Sequence, residues 1–141
     1  MLLKIEIDAE EAIDMLDGVA AVVTSDSFAD AAGAFALDRI LERTLSGKDV
    51  DDMAFAPYSS EYARKKGGPV DLYDSGEMLR SLKYQVDSPT QATITCSSEI
   101  AKYHEDGTDK MPQRKFVGLS ERDTGDMMEK IFTDPLTNLI G

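Results

Sequence analysis

The chain has 141 residues, 42% of them hydrophobic, a formal net charge of −12 and a single cysteine. This size and hydrophobic content predict one domain with one buried core, and they exclude wholesale disorder. One cysteine excludes an internal disulfide and any zinc site built from several cysteines. No apolar run approaches the roughly 18 residues of a membrane span, and acids interrupt the start where a signal peptide stays apolar, so we predict a cytoplasmic protein.

The charge is unevenly distributed along the chain. Residues 1–52 hold 13 acids and 4 bases, residues 53–118 hold 9 of each, and residues 119–141 hold 5 acids and 2 bases. An acidic surface repels phosphate, so ordinary nucleic-acid binding is not expected. Solubility is the simpler explanation of the excess, and a surface that DNA passes without sticking is the sharper one.

The first 47 residues predict a strand and two helices. Apolar and charged residues alternate over residues 3–8, which is typical of a strand with one buried face. Asp8 and Glu11 stand in capping-box positions before a second apolar stripe, which predicts a helix. A longer helix is predicted over residues 25–46, ending near Gly47. Its apolar face contains Phe28, Ala32, Phe35, Ala36, Ile40, Leu41 and Leu45.

The middle of the chain is predicted to be irregular. A charged turn at residues 48–52 precedes an extended stretch, because Pro57 disfavours a helical conformation at the residue before it. A short helix follows, capped by Ser59 or Ser60 and ending at Arg64. Residues 65–69 contain two glycines and a proline and predict a mobile loop.

The second half predicts a hairpin, a short helix, a strand and a final helix. Two alternating runs, residues 82–87 and 92–97, flank a short polar link. A short helix is expected over residues 100–104, ending at Gly107, with a strand at residues 115–119. Ser120 and Asp123 predict the start of the last helix, with Met127, Met128, Ile131 and Phe132 on its apolar face. Pro135 is expected to kink or end that helix and to leave residues 136–141 loose.

Together these elements predict an α+β fold. A small antiparallel sheet packs against a long helix, with additional helices near the N- and C-termini. We predict a single domain over residues 1–141. Its parts are an acidic strand and helices (1–52), an irregular segment with a mobile loop (53–76), a sheet region (77–120), and a C-terminal helix with a tail (121–141).

A search for chemistry finds one weak candidate. His104 is the only histidine, and its acidic neighbours are Glu105, Asp106 and Asp109. Neither a second histidine nor a calcium-loop order of acids accompanies it, so a structural or interface role is favoured over a metal or catalytic one. Cys96 lies in an alternating run and is predicted to be a small buried residue. No catalytic residue, metal ligand or cofactor site is therefore predicted.

Two neighbouring segments carry a more specific signal. Residues 101–108 have the sequence AKYHEDGT, and residues 111–120 have the sequence MPQRKFVGLS. They resemble the elements Y/A-x-x-H-x-x-G-T and P-x-R-P-F-L-G-L-S of the phage virion morphogenesis proteins, the tail-completion family of Mu-like phages. Lys115 replaces the family's proline, and Val117 replaces its leucine.

Two upstream segments extend the resemblance. Residues 55–59 (FAPYS) with 62–67 (YARKKG) look like the family's W/F-x-P-L-S and Y-A-x-x-K segment, and residues 72–76 (LYDSG) with 79–82 (LRSL) look like its L-x-D-T-G-x-L-R-x-S segment. The four segments occur in the family's order between residues 55 and 120. The first 50 residues are similar only in being predicted as helical.

The resemblance implies a non-enzymatic structural protein of the virion that completes the tail or joins it to the head, without a cofactor. It implies other phage head–tail or tail proteins as partners, and a ring around the DNA path, with six subunits as the favoured number. Assembly of such a ring can depend on a template, so a monomeric state of the free protein stays open. Its location would be the cytoplasm of the host bacterium during assembly and then the virion.

Charge suggests which side chains would face these surroundings. Acids repel phosphate, so a lumen that DNA passes without specific binding is predicted to contain Glu10, Glu11, Asp14, Asp17 and Asp30. Opposite charges guide docking between proteins. Contacts to other subunits or partners are therefore predicted for Arg64, Lys65, Lys66, Arg114 and Lys115.

Two other classes of function stay open at this point. One is a small metal-binding or enzymatic domain centred on His104 and the nearby acids. The other is a regulator whose acidic N-terminal half mimics DNA.

Overall fold

A computed structural model describes residues 3–8, 27–68, 70, 72, 76–89 and 91–140. The strands are β1 (Leu3–Asp8), β2 (Leu82–Ser88) and β3 (Gln91–Cys96). The helices are α1 (Ser27–Leu45), α2 (Ser60–Lys66), α3 (Glu77–Arg80), α4 (Glu99–Asp106) and α5 (Glu121–Ile140). The helix expected directly after residue 8 lies outside the described residues.

The three strands form one antiparallel sheet in the order β1-β3-β2. Ile94 of β3 is the register partner of Ile5 on one side and of Tyr84 on the other. Along β3 the side chains of Ala92, Ile94 and Cys96 are buried, with partly exposed residues between them. The alternation in the sequence therefore predicted the hairpin correctly, because a half-buried strand repeats every two residues.

Helix α1 packs against β2 and β3, as the sequence predicted. Small residues on its face let the sheet come close: Ala32 and Ala36 are buried, and a Cβ added at Gly33 would collide with the Tyr84 ring. The fold is thus α+β, with a small antiparallel sheet against a long helix. Phe35, expected on this apolar face, is only partly buried, because it packs at the edge of the core with the Arg39 guanidinium 5.0 Å from its ring centre.

The segment predicted as a strand at residues 115–119 is not one. Its backbone pairs with side chains and a loop instead of a neighbouring strand. Phe116 and Val117 donate their N–H groups to a carboxylate oxygen of Glu105, and the Lys115 carbonyl accepts from the N–H of Val50. The apolar residues of an extended segment cannot distinguish these arrangements, since both satisfy its backbone hydrogen-bonding groups.

Helix α5 begins as predicted and ends later than predicted. Ser120 Oγ accepts from the backbone N–H of Asp123, whose carboxylate accepts from the N–H of Ser120. This reciprocal pair is a capping box. The helix then continues past Pro135 to Ile140, so the expected end and loose tail are wrong for residues 136–140. A proline removes one backbone hydrogen bond, which a helix can survive.

Helix α2 is longer than predicted. Ser59 Oγ accepts from the N–H of Tyr62, which confirms the expected cap. The helix runs on to Lys66 and closes where Gly67, in a left-handed conformation, donates to the Ala63 carbonyl. Bases in the last turn suit the helix dipole. The predicted loop is therefore wrong for residues 65–66.

Across the described ranges, every helix is too short or too polar to be a candidate for crossing a membrane.

Candidate functional site

A groove with a volume of about 710 Å³ opens where the irregular segments meet the N-terminal ends of three helices. Tyr58 and Tyr62 form one wall, and Met78, in the first turn of α3, forms another. The first turn of α4 and the turn around Met111 complete it. These are loop and helix-end positions, which is where binding residues concentrate on a rigid scaffold.

The tyrosine wall is held in place by local contacts. The rings of Tyr58 and Tyr62 meet edge to face, with centroids 4.8 Å apart. The Tyr58 hydroxyl accepts a hydrogen bond of 3.1 Å from the N–H of Leu72. The wall therefore links the segment before α2 to the chain that leads into α3.

Arg114 lies at the floor of the groove and is only 4% exposed. Its Nε donates to the Ala56 carbonyl at 2.8 Å and its Nη2 to the Pro57 carbonyl at 2.9 Å, and its guanidinium lies 4.9 Å from the centre of the Tyr58 ring. Arg114 is therefore a buried residue of the groove floor, and its predicted contact with another subunit or partner stays a prediction. The side chain turns inward because the extended chain before Tyr58 has carbonyls that no strand satisfies.

His104 also lines the groove and is 9% exposed. Its Nδ1 is buried without a hydrogen-bond partner, and its ring meets Phe116 edge to face at 6.4 Å between centroids. Burial lowers the pKa of His104, and the charge of Arg114 lowers it further. The imidazole is therefore neutral near pH 7.

Glu105 holds the segment that follows the groove. Its Oε1 accepts from the N–H groups of Phe116 and Val117, both at 2.7 Å. Burial raises the pKa of Glu105, and these two hydrogen bonds act in the opposite direction. Glu105, the acid beside His104, therefore holds the backbone of residues 116–117 by hydrogen bonds.

A second buried arginine, Arg43, holds the segment that follows Arg114, and the sequence did not reveal it. Arg43 Nη1 lies 2.6 Å from a carboxylate oxygen of Asp123, and Nη2 donates to the carbonyls of Phe116 and Gly118, both at 2.9 Å. Burial would raise the pKa of Asp123, but hydrogen bonds from Ser120 and Arg39 and the charge of Arg43 leave it below its usual range. This ion pair ties α1 and α5 to residues 116–118.

The other predicted contact residues lie on the surface. Arg64, Lys65 and Lys115 are exposed, and the Lys66 ammonium lies 5.5 Å from the centre of the Tyr58 ring. Arg64, Lys65 and Lys66 all lie on the last turn of α2, and Lys66 brings that turn against the tyrosine wall. Their predicted contacts with other subunits stay predictions.

Of the acids predicted to face a lumen, only one lies in the described part. Asp30 is exposed in the first turn of α1 and accepts a hydrogen bond of 2.8 Å from the Tyr84 hydroxyl. Glu10, Glu11, Asp14 and Asp17 lie outside the described residues.

The alternative sites can be placed as well. Asp106 and Asp109 are exposed, while His104 is buried. Among the described side chains, no three histidines, cysteines, aspartates or glutamates lie close enough to hold a metal. Cys96 is fully buried, as predicted, with its Sγ 3.2 Å from Ser81 Oγ.

Comparisons with protein-family models, with curated proteins and with solved structures found no match to this chain.

Proposed function

We propose that this chain is a non-enzymatic structural protein of phage virion assembly that acts in tail completion or head–tail joining. The observation that carries the proposal is that all four segments resembling the morphogenesis proteins line the same groove. Tyr58 comes from the first segment, Leu72 from the second, His104 from the third and Arg114 from the fourth. Segments whose only role is to build a core need not share one solvent-facing cavity.

The chemistry of the groove suits contact with another protein. Tyr62 is 41% exposed and Ile100 56% exposed, so apolar surface is available at the rim. Aromatic residues are enriched at protein interfaces. The buried polar groups hold backbone: Arg114 holds two carbonyls and Glu105 holds two N–H groups.

The charge distribution supports the same proposal. The basic last turn of α2 adjoins the tyrosine wall through Lys66, and the excess acid lies in residues 1–52. Complementary charge of this kind steers docking, and acidic surface repels DNA. In the proposed assembly the groove side meets a head or tail protein or a neighbouring subunit of a ring, and acidic surface faces the DNA path. The protein would work in the host cytoplasm and remain in the virion.

Deletion of the gene from the phage that encodes this chain tests the proposal. Electron micrographs of lysates should show separate heads and tails, and expression of the wild-type chain from a plasmid should restore joined particles. The amounts of head and tail proteins serve as the control for a general loss of expression. Joined, infectious particles in the deletion strain would contradict the proposal.

A further inference from the structure

The floor of the groove contains a cation that has no carboxylate partner among the described residues. Arg114 is 4% exposed, and its hydrogen bonds go to two neutral carbonyls, those of Ala56 and Pro57. No carboxylate lies within ion-pair distance of its guanidinium among the described residues. Buried charges in proteins are normally paired, so a cation of this kind beside a cavity favours an anionic ligand.

Two further groups at the groove are only partly paired among the described residues. The imidazole of His104, 9% exposed, makes no side-chain hydrogen bond to them, and its Nδ1 is buried. Helix α4 begins at the groove, where the Ser98 carbonyl accepts from the N–H of Ala101 but the Ser98 side chain makes no hydrogen bond to the first turn. The first N–H groups of a helix have no partner within the helix and favour negative charge.

The other walls of the groove restrict the kind of molecule to which the anionic group can belong. Tyr58, Tyr62, Met78 and Ile100 present aromatic and aliphatic surface. The acids among the described lining residues, Glu77 and Glu99, are exposed, and so is Lys110. Exposed acids repel a ligand that carries several negative charges. A single carboxylate on an apolar segment avoids most of this repulsion.

We propose that this groove binds the free C-terminal carboxylate of an apolar peptide segment. The carboxylate lies at Arg114, within reach of His104 and the first turn of α4, and the last side chains of the segment lie against the tyrosine wall. A guanidinium presents a planar fork that matches a carboxylate. A C-terminal end places a single negative charge at the floor. Its chain leaves the groove in one direction, whereas an internal segment would have to leave in two.

The ligand class follows from these groups and extends the proposed function, on which it rests only for the source of the segment. In a virion that source is a head or tail protein. Binding of a peptide by the isolated protein does not require a virion. Failure of the peptide assay and failure of the deletion test are therefore distinguishable.

The test is a titration of isotope-labelled full-length protein followed by nuclear magnetic resonance. The probes are acetyl-Ala-Ala-Leu with a free carboxylate, the same peptide as its C-terminal amide, and acetyl-Ala-Glu-Leu amide, whose only carboxylate is on a side chain. The first probe should shift the Arg114 side-chain and His104 ring signals saturably. Both amides should bind at least about tenfold more weakly, since they lose a charge-assisted hydrogen bond.

Three results would overturn the proposal. They are equal binding of the acid and its amide, equal binding of the side-chain carboxylate, and no saturable shift at about 10 mM peptide, roughly tenfold above a millimolar Kd. Arg114→Met should remove the preference for the acid, whereas Lys115→Met, a neighbouring exposed base, should keep it. If Arg114→Met does not fold, the comparison of acid and amide on the wild-type protein still decides.

Discussion

Arg43 and Arg114 are both buried and both hold carbonyls of irregular chain, but only Arg43 has a carboxylate partner among the described residues. Arg43 pairs with Asp123 at 2.6 Å and closes the contact between α1, α5 and residues 116–118. Arg114 holds the Ala56 and Pro57 carbonyls, has no carboxylate partner among the described residues, and lines a cavity. The charge of Arg43 is thus compensated within the chain, and we propose that the charge of Arg114 is compensated by another molecule.

The largest effect on the free energy of unfolding is expected at the ion pair of Arg43 and Asp123. Asp123→Ala leaves the Arg43 charge buried without its partner and removes the capping box, so it should cost about 3–5 kcal/mol of unfolding free energy in urea titrations. The double variant Arg43→Met with Asp123→Ala should recover part of that loss. A loss below about 1 kcal/mol, as at an ordinary surface site, would show that the pair is not a structural hub.

A smaller effect is expected at Glu105, which holds residues 116–117 between the two arginines. Glu105→Ala leaves the N–H groups of Phe116 and Val117 without their acceptor and should cost about 2–3 kcal/mol by the same measurement. Glu105→Gln keeps an oxygen at that position and is the matched control, with a loss below about 1 kcal/mol. Equal losses in both variants would contradict the assigned hydrogen bonds.

Removal of Arg114 should lower the free energy of unfolding less than removal of Asp123 from its pair with Arg43. Arg114→Met loses two hydrogen bonds to carbonyls but also removes an unpaired buried charge, so we expect a net loss of about 1–2 kcal/mol. The comparison with Asp123→Ala in one set of urea titrations checks it. A loss as large as that of Asp123→Ala would mean that the charge of Arg114 is compensated within the chain, as the charge of Arg43 is.

The smallest effect is a pH dependence that reports on the groove. The folded-state pKa of His104 is below its ordinary value of 6.5, so the unfolded chain binds more protons and stability falls as pH drops below that value. The slope should not exceed about 1.4 kcal/mol per pH unit. Because the chain has one histidine, His104→Gln should flatten the curve between pH 7 and 5.5. An unchanged curve would place the titration elsewhere.

Periodic elements were predictable from the sequence, and the two arginine contacts were not. Strand β3 and helix α1 follow patterns of two and of three to four residues, and the Ser120–Asp123 capping box is local. Arg43 meets Asp123 across 80 positions, and Arg114 meets Ala56 across 58. No local pattern encodes such contacts, and a base in an extended segment looks the same whether it points outward or inward.

The segment at residues 115–119 shows the same limit. Its apolar residues predicted a strand, yet its hydrogen bonds go to Glu105, Arg43 and Val50. The resemblance, by contrast, singled out segments that line one groove, although no periodic pattern connects them. Recognition of motifs therefore located the candidate site better than charge did.

The central claim is that the groove is the contact surface used in virion joining, and one substitution at its rim tests it most directly. Ile100 is 56% exposed in the first turn of α4, where a glutamate suits the helix dipole, so Ile100→Glu should fold normally while placing a charge on the apolar rim. Met53→Glu, at a site 64% exposed outside the groove, is the matched control. In the deletion strain, electron micrographs should show joined particles with Met53→Glu and separate heads and tails with Ile100→Glu. Joined particles at wild-type frequency with a folded Ile100→Glu protein would contradict the claim.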